Sequence, residues 1–157
     1  MTRPVWLVWL RAWAPALLWG LIIFRLSAIP GDELPPLPGW NFDKLVHACV
    51  YGVLGALSWW GARGTFARAR SLAQQVAIAT TLTAVYGVTD ELHQAFTPHR
   101  SPDPFDVMTD TLGGLLGALV CVAIVALLIN LTSLASPSNC SVRMPHQLKS
   151  ISYQASP

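Results

Sequence analysis

The side chains of this chain that could do chemistry fall in three short stretches. In the first, Asp43, His47 and Tyr51 recur at i, i+4, i+8 with Lys44 beside them. Residues four apart share a helix face, and at about 1.5 Å of rise per residue this face runs roughly 12 Å along the axis. A carboxylate one turn from an imidazole can orient the ring and favour its protonated form. Asp43 and His47 are therefore read as site residues, and Tyr51 as a lesser member of the same site or as packing. In the second stretch Asp90, Glu91, His93 and Gln94 come within five residues. Adjacent helical residues point about 100° apart, so Asp90 and Glu91 lead different faces. One is expected to face the other helices while the other caps or pairs at the edge. His93 suits a ligand or base as well as an exposed interface position, and His99 is expected to be solvated.

In the third stretch Arg100 is followed by Ser101, Asp103, Asp106 and Asp110. The three acids are spaced i, i+3, i+7 and share a face of a helix that starts near Ser101. Ser101 is the expected N-cap, with Pro102 and Pro104 in the first turn, where proline is accepted. Capping and the helix dipole explain Asp103 and in part Asp106. They do not reach Asp110. Arg100 can hold a phosphate bidentately or pair with one of the acids. So many carboxylates at low dielectric cannot all ionise without compensation. Three remedies fit: pairing with Lys44, Arg100 and His47; protonation of one acid; or a divalent cation, since carboxylates with an imidazole suit a hard or borderline metal. No HExxH-type motif assigns that metal from the sequence.

The elements that must carry these residues are apolar. Of the 157 residues 53% are hydrophobic and 11% charged, and the mean hydropathy is +0.46. Soluble domains carry about 25% charged residues. The shortfall points to a chain solvated by lipid. Four apolar runs stand at about Val5–Ala28, Phe42–Ala62, Leu72–Val88 (continuing as a polar helical end to Gln94) and Phe105–Leu131. A span needs about 20 mostly apolar residues. The first run is longer than a signal-peptide core and no small-x-small site follows it, so it is expected to be retained, with Trp6, Trp9 and Trp13 near the headgroups. The loop 29–41 is broken by Pro30, Pro35, Pro36 and Pro38, and Asn41 is the expected N-cap of the second helix. Gly113 and Gly117 form a GxxxG spacing that lets another backbone approach.

These runs predict an all-α polytopic membrane protein. Residues 1–131 form a compact bundle of four transmembrane helices, and residues 132–157, rich in Ser, Pro and Asn, form a disordered cytoplasmic tail. Arg3, Arg11, Arg63, Arg68, Arg70, Arg143 and Lys149 fall on one side, against Arg25, Lys44 and Arg100 on the other. That is seven against three, and the positive-inside rule sets both termini in the cytoplasm. All eight acids lie at or just below the opposite face. The net charge of +2 carries no basic run, which argues against nucleic acid. Three cysteines without CxxC spacing give neither a disulfide framework nor a thiolate metal site.

FDKLVHACVYGVLG, followed by DELHQAFTPHRSPDPFDVMTDTLGGLLG, resembles the VanZ-like family, named for a glycopeptide (teicoplanin) resistance protein. The family pattern is a DK-x-x-H-x-x-x-Y helix, then DE-x-x-Q-x-F-x-P-x-RS, a following Asp and a Gly-rich helix. Asp43, Lys44, His47 and Tyr51 match the first part. Asp90, Glu91, Gln94, Phe96, Arg100, Ser101 and Asp106 match the second, and Ser27 and Pro30 resemble the family's first loop. The resemblance covers about residues 20–120. Asp110 departs from it, standing where members usually carry Asn. The resemblance implies a multi-pass protein of the bacterial inner membrane. It also implies an intramembrane enzyme acting on a lipid headgroup or lipid-linked saccharide at the outer face, with a bearing on glycopeptide susceptibility. In that reading His47, Asp43, Glu91 and Asp90 are catalytic, with His47 as base or nucleophile. Lys44, Tyr51, Gln94, Arg100, Ser101, Asp106 and Asp110 bind substrate or tune the site. The alternative is a non-catalytic membrane protein that binds or shields a lipid-linked cell-wall precursor or a partner protein.

Overall fold

Each of the four apolar runs is an α-helix in the computed structural model of the protein, which describes residues 4–35, 39–66 and 69–135. The helices are α1 (Val5–Ser27), α2 (Trp40–Phe66), α3 (Leu72–Gln94) and α4 (Pro104–Ala135), with a 3₁₀ turn at Gly31–Glu33 in the first loop. No strand occurs among the described residues. Arg3, Pro36, Pro38, Arg68, Arg143, Lys149 and the expected tail from residue 136 on lie outside them.

Three helix starts differ in their chemistry. Ser71 caps α3 in a capping box, its hydroxyl accepting from the Gln74 N–H while the Gln74 side chain accepts from the Ser71 N–H. α2 already begins at Trp40, so Asn41 lies in its first turn and not at the N-cap. α4 begins at Pro104, and its cap is Asp103 in place of the expected Ser101. Asp103 Oδ1 accepts the Phe105 N–H at 2.9 Å. The reason is that Pro104 fills the first helical position, where its missing N–H costs nothing, and the residue before it becomes the cap.

Burial is inverted relative to a soluble domain. Asp90, Glu91, Gln94, Asp106 and Asp110 are buried, whereas Leu17, Leu21, Val85, Leu112 and Leu116 are exposed. Val5–Ser27, Phe42–Phe66 and Pro104–Leu134 are each long and apolar enough to cross a membrane. With lipid outside, polar groups gain nothing by facing outward and collect where other helices can satisfy them.

The helices meet through small residues. α1 buries Ala12, Ala16, Gly20, Ile23 and Ser27, a stripe at near-i+4 spacing. The Tyr86 hydroxyl of α3 donates to the Gly20 carbonyl of α1 at 2.6 Å, and Trp19 Nε1 donates to the Val50 carbonyl of α2 at 2.9 Å. The closest approach is between α2 and α4. A Cβ at Gly117 would strike the Gly52 carbonyl, one at Gly113 the Ala48 carbonyl, and one at Gly55 the Gly114 backbone. The GxxxG spacing is thus a packing device, as expected.

The chain divides into two units at Ile124. The first, through Ile124, holds all the contacts above. In the second, α4 continues past Leu131 to Ala135, and Leu127, Leu128, Leu131 and Leu134 are exposed along it.

Candidate functional site

The ends of α1 and α3 and the starts of α2 and α4 come together at one end of the first unit. α2 presents Lys44, His47 and Tyr51 on one face. Lys44 is only 14% exposed, and its Nζ lies 2.5 Å from Asp103 Oδ2, 2.5 Å from Asp106 Oδ1 and 3.9 Å from Asp43 Oδ2. One ammonium therefore ties the start of α2 to the start of α4. Lys44 holds the Asp103 carboxyl below the usual carboxylate range, and the Phe105 N–H adds to this.

One turn deeper, His47 Nδ1 is 3.0 Å from Oδ1 of Asp110, which is 0% exposed. The sequence pattern assigned the orienting carboxylate to Asp43. In the structure the hydrogen bond belongs to Asp110, across the helix pair. Asp43 stays close: an oxygen of Asp43, one of Asp106 and a ring nitrogen of His47 lie within 4.8 Å of one another. The reason is geometric. An i, i+4 neighbour sits beside the ring, whereas a residue on the facing helix can meet its edge in line. Tyr51, 1% exposed, stacks on the other side of the imidazole, with centroids 6.2 Å apart and planes within 7°.

Asp90 and Glu91 point to different sides, as adjacent helical residues must, yet both are buried. Asp90 Oδ2 accepts from Gln94 Nε2 at 3.2 Å and turns toward α2. Glu91 turns toward α4, where Oε2 accepts the Asp103 N–H at 2.6 Å. Neither acid is an edge residue, so the expected split between an inward and a rim carboxylate gives way to two inward ones. His93 packs its ring on Phe24 of α1, with centroids 4.4 Å apart. It is half-buried rather than an exposed interface residue, and its Nε2 meets no described hydrogen-bond partner. His99 is exposed, with φ of 56°.

Arg100 lies on the other side of the cluster. Its Nε donates to the Ile29 carbonyl at 3.3 Å and its Nη2 approaches the Leu26 carbonyl at 3.5 Å. The expected choice was phosphate or an acid. Its described protein partners are carbonyls, Ile29 just past α1 and Leu26 in its last turn, where the helix dipole attracts a cation. Ser101 is exposed beside it.

Asp43, His47, Tyr51, Asp90, Gln94 and Arg100 line one pocket of about 220 Å³, closed by apolar Ile23, Leu26, Leu34, Val46 and Val50. That volume is below the roughly 300–1,000 Å³ of drug-sized sites. The apolar wall was not expected from the motifs, because no charge marks it. Gly87 was also missed: it sits one turn before Glu91, and a Cβ there would lie 2.9 Å from Asp110 Oδ2. A second, larger groove of about 1190 Å³ runs beside α1 and is lined by Trp9, Trp13, Leu17, Leu21, Phe24 and Leu82 among others.

The family model described as VanZ/LLP1 matches residues 6–130, which includes every residue of this cluster. No curated protein and no solved structure matches the chain.

Proposed function

The chain belongs to the VanZ/LLP1 family, a family of membrane proteins linked to glycopeptide resistance, and from that premise we propose an intramembrane enzyme that acts on a lipid headgroup or lipid-linked saccharide at the outer face of the bacterial inner membrane. The observation that carries this reading is the His47–Asp110 pair. A fully buried carboxylate holds one nitrogen of an imidazole that lines a headgroup-sized pocket with apolar walls.

Asp110 accepts from Nδ1 and so fixes the proton there, which leaves Nε2 as the base. His47 takes the proton of an attacking hydroxyl. Asp90, steadied by Gln94, is the acid: it gives its own proton to the leaving oxygen and regains one from the His47 imidazolium as product leaves. Glu91 does not line the pocket, so the acid role falls to Asp90 and Glu91 acts behind His47. Arg100, at the pocket wall, turns its charge to the headgroup. Lys44, Asp103 and Asp106 lock α2 to α4. Tyr51 forms the floor, and Ser101 and Asp43 form the rim. The apolar groove of about 1190 Å³ beside α1 takes an acyl chain, which favours a lipid over a soluble substrate.

In this reading α3 is the fourth span of a domain ending near residue 131. Its lower apolar content comes from Gln75, Thr83, Asp90, Glu91 and Gln94, all buried, whereas Leu82, Val85, Val88 and Leu92 are exposed. A helix that is polar inward and apolar outward still faces lipid. Four spans return both termini and the residues from 132 on to the cytoplasm, in line with seven basic residues on that side against three.

The test is turnover of bacterial lipid extract by the protein reconstituted in vesicles. His47→Ala is expected to lower conversion by about 10²–10⁴-fold, the size of a lost general base. Equal conversion by the variant would end the assignment.

A further inference from the structure

Two buried carboxylates of this cluster each have one oxygen without a hydrogen-bond partner. Glu91 Oε2 accepts the Asp103 N–H, which leaves Oε1; Asp110 Oδ1 meets His47 Nδ1, which leaves Oδ2. Glu91 is 6% exposed and Asp110 0%. An oxygen of Glu91, one of Asp110 and a nitrogen of His47 lie within 4.8 Å of one another. An orphaned buried acceptor costs about 1–3 kcal/mol, more when charged. Both acids belong to one cluster of three groups, and no described donor meets either of these oxygens.

We propose that Glu91 and Asp110 hold a hard divalent cation of the Mg²⁺ or Mn²⁺ class between α3 and α4, beside Gly87. Three observations converge on it. First, oxygens this close are bridged by a cation with metal–oxygen bonds of roughly 2.0–2.6 Å. Second, the other local charges are already committed. Lys44 is shared by Asp103 and Asp106, and the Nδ1 edge of His47 faces Asp110 Oδ1. Asp43, Asp90, Glu91, Asp103, Asp106 and Asp110 outnumber Lys44, Arg100 and His47 even with the ring protonated. A single proton shared by Glu91 and Asp110 leaves that excess largely standing, whereas a divalent cation removes two charges. Third, the backbone spares Asp110 Oδ2: position 87 carries no side chain, and a Cβ there would press on that oxygen.

Asp110 then bridges, with Oδ1 on His47 and Oδ2 on the cation, so the imidazole keeps Nε2 for the pocket. A cation held by two carboxylates keeps open positions for water, the usual arrangement for Mg²⁺. Neither Glu91 nor Asp110 lines the pocket, so the cation acts on a headgroup through His47, whose ring Asp110 holds. It rests on the enzyme reading only for that last step.

The experiment uses the full chain, purified in micelles and stripped with chelator, titrated with Mn²⁺ while the free ion is read by electron paramagnetic resonance. One Mn²⁺ per chain is expected, displaced by excess Mg²⁺. Asp110→Asn and Glu91→Gln should each weaken it at least tenfold, and Asp32→Asn, at an exposed position, should leave it unchanged. A wild-type chain that holds no Mn²⁺, or variants that hold it as the wild type does, would overturn the proposal. If those variants do not fold, Asp43→Asn, which touches only the neighbouring Asp43–His47–Asp106 group, decides: unchanged Mn²⁺ binding supports the proposal and lost binding overturns it. No lipid enters the measurement, so its failure is separate from failure of the enzyme reading. Chelator-insensitive lipid turnover would remove the cation and leave the enzyme, and bound Mn²⁺ without turnover would do the reverse.

Discussion

The α2–α4 contact is two different interfaces one turn apart. Near the helix starts, Lys44 and His47 meet Asp103, Asp106 and Asp110 through long polar side chains. Immediately below, Ala48, Gly52 and Gly55 meet Gly113, Gly114 and Gly117 with almost no side chain at all. In lipid there is no hydrophobic drive to push helices together, so the lower region relies on backbone packing. The upper region spends polar groups that would be cheaper in water. The difference teaches that the glycine seam sets the distance and the polar end exploits it. His47 reaches Asp110 at 3.0 Å because the seam holds the two axes close.

That division of labour can be broken from either side. The largest effect is expected at the polar end: His47→Ala loses the chemistry by the factor given above while the fold and membrane insertion hold, which resistance to stepwise SDS unfolding checks. Next is the seam. Gly117→Leu places a side chain where the Gly52 carbonyl already stands, and backbone cannot step aside as a side chain can. It should destabilise by about 3 kcal/mol, the upper part of the overpacking range, and activity should fall only in proportion to the folded fraction. Gly87→Ala is smaller and sharpens the boundary. Its Cβ meets the Asp110 carboxylate and not backbone, so stability should change by less than about 1 kcal/mol while turnover drops roughly tenfold, or about 1.4 kcal/mol at the barrier.

The smallest effect is one of pH. Lys44 holds the Asp103 carboxyl below its ordinary range of about 4. A folded value below the unfolded one gives stability that is complete above the unfolded value and is lost as pH falls through the folded one. The stability difference between wild type and Asp103→Asn should stay constant from pH 7 to about 4 and shrink below that. A difference that fades between pH 7 and 5 would mean that another group dominates the start of α4.

Much of this was legible in the residues themselves. Apolar run length gives four helices, and i, i+4 spacing gives the His47–Tyr51 face, because both are local properties of one helix. The GxxxG pair announces its own close contact. What was not legible depends on a partner helix. Asp43 and Asp110 are equally good candidates to hold His47 until the α2–α4 distance is known. That Arg100 is anchored to carbonyls at the end of α1, some seventy residues earlier, has no signal in its own stretch. Ser101 looks like the cap because Ser is a good one, but Pro104 hands that role to Asp103. The apolar pocket wall from Ile23, Leu26 and Val46 has no sequence signal apart from any other membrane-facing residue.

The central claim, that the His47–Asp110 pair turns over a lipid headgroup, is tested most directly by mass spectrometry of membrane lipids from cells that carry the wild type, His47→Ala or no copy of the protein. A headgroup species should change in the wild type alone, with His47→Ala matching the cells without the protein although it is present in the membrane at equal amount. Identical lipid profiles in all three would contradict the account.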